Sequence, residues 1–308
     1  MGTPEFSVPA LRAVASRCQV TLVVTQPDRP RGRGRQMAES DVAAVARSMG
    51  LTVLKPQEMK GDEVYEILSA QHADVFAVVA FGAILTPRVL ALPRVGAMNL
   101  HGSLLPDYRG ASPVQRALWD GRTETGVCTI FMDEGIDTGD IVLTHREPIR
   151  DDDDAASLAA RLAEAGGPLL ADSVVLAHEG RAMRTQQDRT AGSYAKKLKK
   201  SDGIVEWSLT AREVWCHARA VTPWPGATAM HDGKRLLVVR SQVVAGQGKP
   251  GTVLAVEHEG VTVACGTDAL RLVRVRPEGR AEMAASEWAR GARVLPGDHW
   301  IHTKESLS

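Results

Sequence analysis

Through the first half of the chain, short apolar runs rich in valine, isoleucine and alanine alternate with stretches whose apolar residues recur at helical spacing. That alternation predicts strands of a parallel-rich sheet joined by crossover helices, an α/β arrangement of Rossmann-like type. Strands are expected at Gln19 to Thr25, Thr52 to Leu54, Val75 to Ala80, Ala97 to His101, Val127 to Met132 and Ile141 to Arg146. Helices are expected at Pro9 to Arg17, Asp41 to Met49, Glu63 to Gln71, Pro113 to Asp120 and Ala155 to His178. Asp151 to Asp154 stand just before the last of these, where acids complement the helix dipole, so they read as a cap rather than a metal site.

The pattern then changes. From Arg181 to Lys200 there are seven basic residues against one acid, Asp188, with no sustained apolar period, which reads as a linker. Beyond a helix expected at Ala211 to Val221 come five short strands, at Thr228 to His231, Leu236 to Val244, Gly251 to Glu257, Val261 to Cys265 and Ala269 to Arg276. Glycine-containing turns separate them, a spacing that suits a small OB-like β-barrel. The expected organisation is a first domain over 1–180, a basic linker over 181–203 and a second domain over 204–308.

The 308 residues are 44% apolar, 24% charged and 4% aromatic, enough to bury two cores, and disorder is a poor reading. Lys plus Arg number 37 and Asp plus Glu 37, so nucleic acid is not bound by bulk charge, and any RNA contact must be local. Cys18, Cys128, Cys216 and Cys265 form no C-x-x-C pair, which points to a reducing cytoplasm and to neither a zinc knuckle nor a disulfide framework. No apolar run approaches the ~20 residues of a membrane span. No nucleotide-binding glycine motif is present.

Chemistry concentrates around Met98 to Pro106. Asn99 and His101 are two apart at the end of an expected buried strand, so both side chains face one side. The carboxyl end of such a strand is where open α/β sheets place their sites. An amide donor with an imidazole suits a developing oxyanion, although either residue alone is more simply a hydrogen-bonded strand-end or core residue. A second acidic turn, Met132 to Asp140, contains Asp137, placed to orient His101 or, equally, to close its own Asx-turn.

Taken together, several motifs resemble the folate-dependent formyltransferases, in the branch that acts on methionyl-tRNA. They are Gly2-Thr-Pro-Glu-Phe6, Thr25 to Gly34, the Asn99-Leu-His-Gly-Ser-Leu-Leu-Pro106 core continuing to Pro113, Met132 to Asp140, Tyr194 to Leu198, Trp207-Ser208, Pro223-Trp-Pro225 and Pro250-Gly251. The resemblance implies that Asn99 and His101 stabilise the tetrahedral intermediate while Asp137 assists proton movement. It also implies 10-formyltetrahydrofolate as cosubstrate, with no metal, and a pterin pocket at Phe81, Gly82, Ile84 and Leu85. Ser103, Leu104, Leu105, Pro106, Asp133, Gly135, Ile136 and Thr138 would complete that pocket. The amine acceptor would be initiator methionyl-tRNA and the enzyme a cytoplasmic monomer. Such proteins open with a short apolar strand before the Gly-Thr-Pro-Glu-Phe motif, whereas here Met1 directly precedes Gly2, so the first strand is expected to be truncated and the sheet weakened.

Arg29, Arg31, Arg33 and Arg35 alternate with Pro30, Gly32 and Gly34 in a loop after an expected strand end. Guanidinium forks on a pliable backbone suit phosphates and splayed bases, and the resemblance places this loop against the acceptor stem of the tRNA. Lys196, Lys197, Lys199 and Lys200 are either further phosphate contacts or a solvated linker face. Trp207, Trp215 and Trp224 read as core, and His299 and His302 as part of a loose tail.

Overall fold

The computed structural model describes residues 1–31 and 36–300, which divide into two compact units. In chain order the elements of the first stretch are a 3-10 turn, Glu5–Ser7, followed by α1 (Val8–Ala15), β1 (Val23–Val24), β2 (Arg29–Arg31), β3 (Gln36–Ala38), α2 (Asp41–Ser48), β4 (Val53–Leu54) and α3 (Asp62–Ser69). β5 (Val75–Val78), α4 (Pro87–Leu90), β6 (Gly96–His101), β7 (Arg109–Gly110), α5 (Pro113–Trp119), β8 (Glu124–Phe131), β9 (Ile141–Pro148), α6 (Ala155–His178) and β10 (Tyr194–Ala195) follow.

The first unit comprises Met1–Pro113, Glu124–Pro148 and Ala159–Ala195. Its main sheet runs β5-β6-β8-β9. β5 and β6 are parallel, but β8 is antiparallel to both β6 and β9, so the sheet is mixed rather than parallel-rich throughout. The β8–β9 half of this is local, since β8 returns directly through the 132–140 turn into β9, a hairpin connection that only antiparallel strands allow. The strand expected from Gln19 is paired only at Val23–Val24, against β4, apart from the main sheet.

Between β1 and β5 lie the first two residues. Gly2 N–H donates to Val24 O at 3.0 Å, Val79 N–H donates to Met1 O at 2.9 Å and the Met1 amine donates to Ala77 O at 2.5 Å. They join the two sheet edges at one end only. Beyond them opens a cavity of about 730 Å³ lined in part by Leu22, Val24, Phe76, Ala77 and Leu170. The Gly2-to-Phe6 motif also anchors the next loop, through Ser7 Oγ on Val79 O (2.7 Å) and Thr3 Oγ1 on Phe81 O (2.8 Å).

Helix starts follow from their caps. Ser40 Oγ accepts from Ala43 N–H at the head of α2, and Val42, Ala43 and Ala46 put one face into the core. Asp154 Oδ1 accepts from the Ala156 and Ser157 N–H groups, both at 2.9 Å, so that acid caps α6. α6 passes close beneath the sheet at Gly166-Gly167, where a Cβ on Gly166 would stand 2.6 Å from Leu100 Cδ2.

The second unit, Val114–Thr123, Ile149–Leu158 and the chain from Lys196 onward, carries α7 (Ala211–Ala220), β11 (Ala227–His231), β12 (Lys234–Val244), β13 (Val253–Glu257), β14 (Gly260–Ala264), β15 (Ala269–Pro277), β16 (Met283–Ala284) and α8 (Ala285–Ala292). A Thr210/Glu213 capping box starts α7. The strands are antiparallel in the order β11-β12-β15-β14-β13, with β16 on β15. Among the described residues no pairing joins β11 to β13, so no closed sheet is found and the barrel expected from strand spacing is not confirmed. Trp207 and Trp215 are core, as expected, whereas Trp224 is exposed. The chain near His299 is packed rather than loose, because Trp300 is buried against Trp207 and Trp288 and its backbone N–H donates to Gly251 O, while His302 lies outside the described residues.

Candidate active site

β6 is buried on both faces and paired on both sides, which holds Asn99 and His101 at its carboxyl end. The two residues meet at Asp137. Asn99 Nδ2 donates to Asp137 Oδ1 at 3.3 Å, and His101 Nδ1 lies 3.4 Å from Asp137 Oδ2. His101 is 5% exposed, and its Nε2 is 2.9 Å from the Tyr108 carbonyl, which assigns a proton to that nitrogen. Asp137 Oδ2 also accepts the Gly110 N–H at 2.8 Å. One carboxylate thus gathers an amide, an imidazole and a backbone donor.

Asp137 adopts φ +54°, a left-handed conformation uncommon outside glycine and found mostly at aspartate and asparagine. The turn around it is tightly closed. Asp133 Oδ1 accepts from Gly135 N–H (3.0 Å) and Thr138 Oγ1 (2.7 Å), and a Cβ on Gly139 would fall 1.7 Å from Phe131 O. Opposite His101 on β8 stands Cys128, whose thiol is pushed up by burial and so stays protonated, a packing residue rather than a nucleophile.

Residues 5–174 match the formyl transferase family, and residues 197–293 match the formyl transferase C-terminal domain. The chain is 41% identical over 298 residues to the methionyl-tRNA formyltransferase of Citrifermentans bemidjiense, covering 96% of this chain and 94% of that one. It is 42% identical to that of Thermus thermophilus, over 96% of each. The chain belongs to the methionyl-tRNA formyltransferase family.

Solved structures place the fold alongside. An N-formyltransferase from Helicobacter canadensis, in complex with folinic acid and dTDP-3-aminofucose, gives a TM-score of 0.66 at 17% identity, covering 88% of this chain and 97% of that one. The methionyl-tRNA formyltransferase of Clostridium thermocellum gives 0.54 at 16% identity, over 74% and 96%.

In this formyltransferase the residues expected around the formyl donor fall into two groups. Phe81, Leu85, Ser103 and Leu105 are buried; Ser103 Oγ is committed to Asp107 O at 2.6 Å, and Phe81 and Leu85 pack in the core with Val24 and Phe76. Leu104 and Pro106 are half-buried. Ile84 (89% exposed) and Ile136 (66%) instead present apolar surface outward, as Gly82 and Gly135 present backbone, while Asp133 and Thr138 bond each other within the turn.

Of the basic residues, Arg29 is exposed and donates to Gln26 Oε1 at 2.9 Å, and the backbone of Arg31 pairs with Gln36. Arg33 and Arg35 lie outside the described residues. Lys196, Lys197, Lys199 and Lys200 are all exposed, at the start of the last segment of the second unit. The stretch before them, read from sequence as linker, is structured: Thr185 bridges Ile141, and β10 pairs in parallel with β7. That stretch brings Gln187 to the site and holds Arg109, neither of which was singled out. A buried arginine leaves no local trace, and the only hint was Arg109's position inside the Asn99-to-Pro113 motif.

Proposed function

We infer that this formyltransferase moves the formyl group of 10-formyltetrahydrofolate onto the methionine α-amino group of initiator methionyl-tRNA, acting as a cytoplasmic monomer. The observation that carries the reading is the convergence of Asn99, His101 and the Gly110 N–H on the Asp137 carboxylate at the end of a buried strand. The exposed apolar side chains of Ile84, in the loop that Phe81 and Leu85 anchor in the core, and of Ile136, in a glycine-containing turn, suit a pterin. Bound 10-formyltetrahydrofolate supplies the activated formyl group.

As the amine adds, charge grows on the formyl oxygen. Asn99 gives one N–H to Asp137 and has a second to direct at that oxygen, in a fixed site where such a donor acts strongly. His101 keeps its Nε2 proton on the Tyr108 carbonyl, and a second proton arriving at Nδ1 would lie against Asp137. Asp137 is therefore placed to take up the proton the amine loses and to share it with His101 Nδ1. Arg29, Arg31, Arg33 and Arg35 would grip the acceptor end of the tRNA, and the exposed lysines at 196, 197, 199 and 200 its phosphates, with the second unit as an OB-like RNA platform.

The test is formyl transfer from 10-formyltetrahydrofolate to charged initiator tRNA, charged elongator tRNA and glycinamide ribonucleotide. Initiator tRNA is expected to be strongly preferred, and activity on the ribonucleotide alone would overturn the reading. Arg33→Ala is expected to lower kcat/KM on initiator tRNA by about 1 to 3 kcal/mol, with poor rescue by lysine, which lacks the planar fork. An equal loss on elongator tRNA would reduce the arginine loop to a nonspecific clamp.

A further inference from the structure

Asp137 serves the site only while its backbone stays at φ +54°, and the turn's own hydrogen bonds end at Asp133, Gly135 and Thr138. The restraint on Asp137 itself comes from a distant part of the chain. Gln187, 5% exposed, donates through Nε2 to Asp137 O (2.9 Å) and to Gly139 O (2.7 Å), on either side of Thr138. Its Oε1 accepts from Arg109 Nε (3.2 Å) and Nη2 (3.0 Å). The orientation of the amide follows from chemistry: two carbonyls on one side require donors, and a guanidinium on the other requires an acceptor.

Arg109 is in turn fixed. It is 1% exposed, and it donates from Nη1 to Ala191 O and from Nη2 to Asp188 O, at 3.1 and 3.0 Å. Its N–H donates to Ser193 O, and the next residue, Gly110, donates its N–H to the Asp137 carboxylate. Asp137 is thus held at both ends: the carboxylate by Gly110, and the carbonyl by Gln187, which is anchored on Arg109. β7 and β10 tie the two segments together, Tyr194 opposite Arg109 and Ala195 opposite Gly110.

We propose that Gln187 is a positioning residue for the transfer reaction, bridging Arg109 to the Asp137 turn so that the carboxylate stands at Asn99 and His101. The inference rests on the site reading given above. Gln187 touches neither substrate nor reacting atoms and acts through Asp137. Two variants separate its two halves. Gln187→Glu keeps the size and the acceptors for Arg109 but sets carboxylate oxygens against the Asp137 and Gly139 carbonyls. Gln187→Met removes both sets of bonds.

The experiment measures kcat, KM for initiator tRNA and the pH profile of kcat for the parent, Asp137→Asn, Gln187→Glu and Gln187→Met, each referred to the folded fraction measured by circular dichroism. Gln187→Glu is expected to fold, because its Arg109 pairing remains, and to lose at least tenfold in kcat. Its KM should stay within about twofold, and the acid limb of its profile should move, since the carboxylate sits in altered surroundings. A merely structural residue would lower thermal stability and leave both kcat per folded molecule and the acid limb in place, and that result overturns the proposal. Loss of folding by Gln187→Glu also overturns it, because a simple positioning bond would not be needed for the fold. Asp137→Asn with parental turnover would sink the site reading itself, whereas a slow Asp137→Asn beside a normal Gln187→Glu would sink only the role of Gln187.

Discussion

Two sides of the first unit's sheet are built on different terms. β6 pairs with β5 over Gly96 to Asn99 on one side and with β8 over Met98 to His101 on the other, and Met98 and Leu100 on either side of Asn99 are buried. β5 has β6 on one side, but on the other, among the described residues, Met1 and Gly2 alone reach across to it, and past them lies the 730 Å³ cavity. The residues proposed for the chemistry, Asn99, His101 and Asp137, sit on the paired side. A site that must hold side chains to a fraction of an ångström needs a strand that cannot shift, and a strand with one open edge does not give that.

The strongest way to break this comparison is at the site. His101→Ala and Asn99→Ala should each lower turnover by roughly a hundredfold or more, the first by removing the imidazole beside the Asp137 carboxylate and the second by removing a donor that strengthens as the oxyanion forms. tRNA binding should hardly change. Single-turnover formylation checks this, and near-parental turnover of His101→Ala with binding intact would remove the site from the paired side.

Next come two identical substitutions on neighbouring strands. Ala97 on β6 pairs opposite Phe76 and is 3% exposed in a packed core, so Ala97→Val should cost about 1 to 3 kcal/mol through overpacking. Ala77 on β5 lines the cavity, and Ala77→Val adds volume where there is room and a β-branched side chain where the backbone is extended. It should be stabilising by about 0.5 to 1.5 kcal/mol. Urea unfolding of the two variants decides the matter, and the same sign for both would mean that the two sides are packed alike.

The smallest expected effect sharpens the contrast from the second unit. There His217 is buried in α7, its Nε2–H donating to Asp202 O at 2.7 Å and its ring 4.5 Å from that of Trp119. Burial pushes its imidazole below the ordinary 6.5, the Asp202 hydrogen bond opposing only in part. The folded chain therefore refuses a proton that the unfolded chain accepts just below pH 6.5, so stability should fall as the pH drops through that region and stay flat above it. His217→Gln should flatten the slope in thermal melts between pH 7 and 5, and an unchanged slope would assign it to other groups.

Most strands and helices were legible because their signals are periodic and local. The two-residue spacing of Asn99 and His101 put both on one face, and the acidic turn supplied Asp137. What was not legible depends on distant partners. Gln19 to Leu22 have the composition of a strand but pair with nothing as strand, because pairing is a property of neighbours and not of residues. The antiparallel β8 reads like any buried strand, since direction leaves no mark on side-chain pattern. Segment 185–195 looked like a linker because its ties to the first unit are single residues, Thr185, Gln187 and Ala195, with no period to betray them.

The close pass of α6 under the sheet bears on how freely this sequence can vary. Leu100 stands between Asn99 and His101 and points to the opposite face, where Gly166 leaves room for it, and Gly167 does the same for the backbone at Pro9. A single added methyl at Gly166 would push on the Leu100 side chain, which stands between Asn99 and His101 on their strand. Two glycines on a helix thus fix how closely α6 can approach the strand that carries the proposed site, and they narrow the range of sequences that can keep that approach.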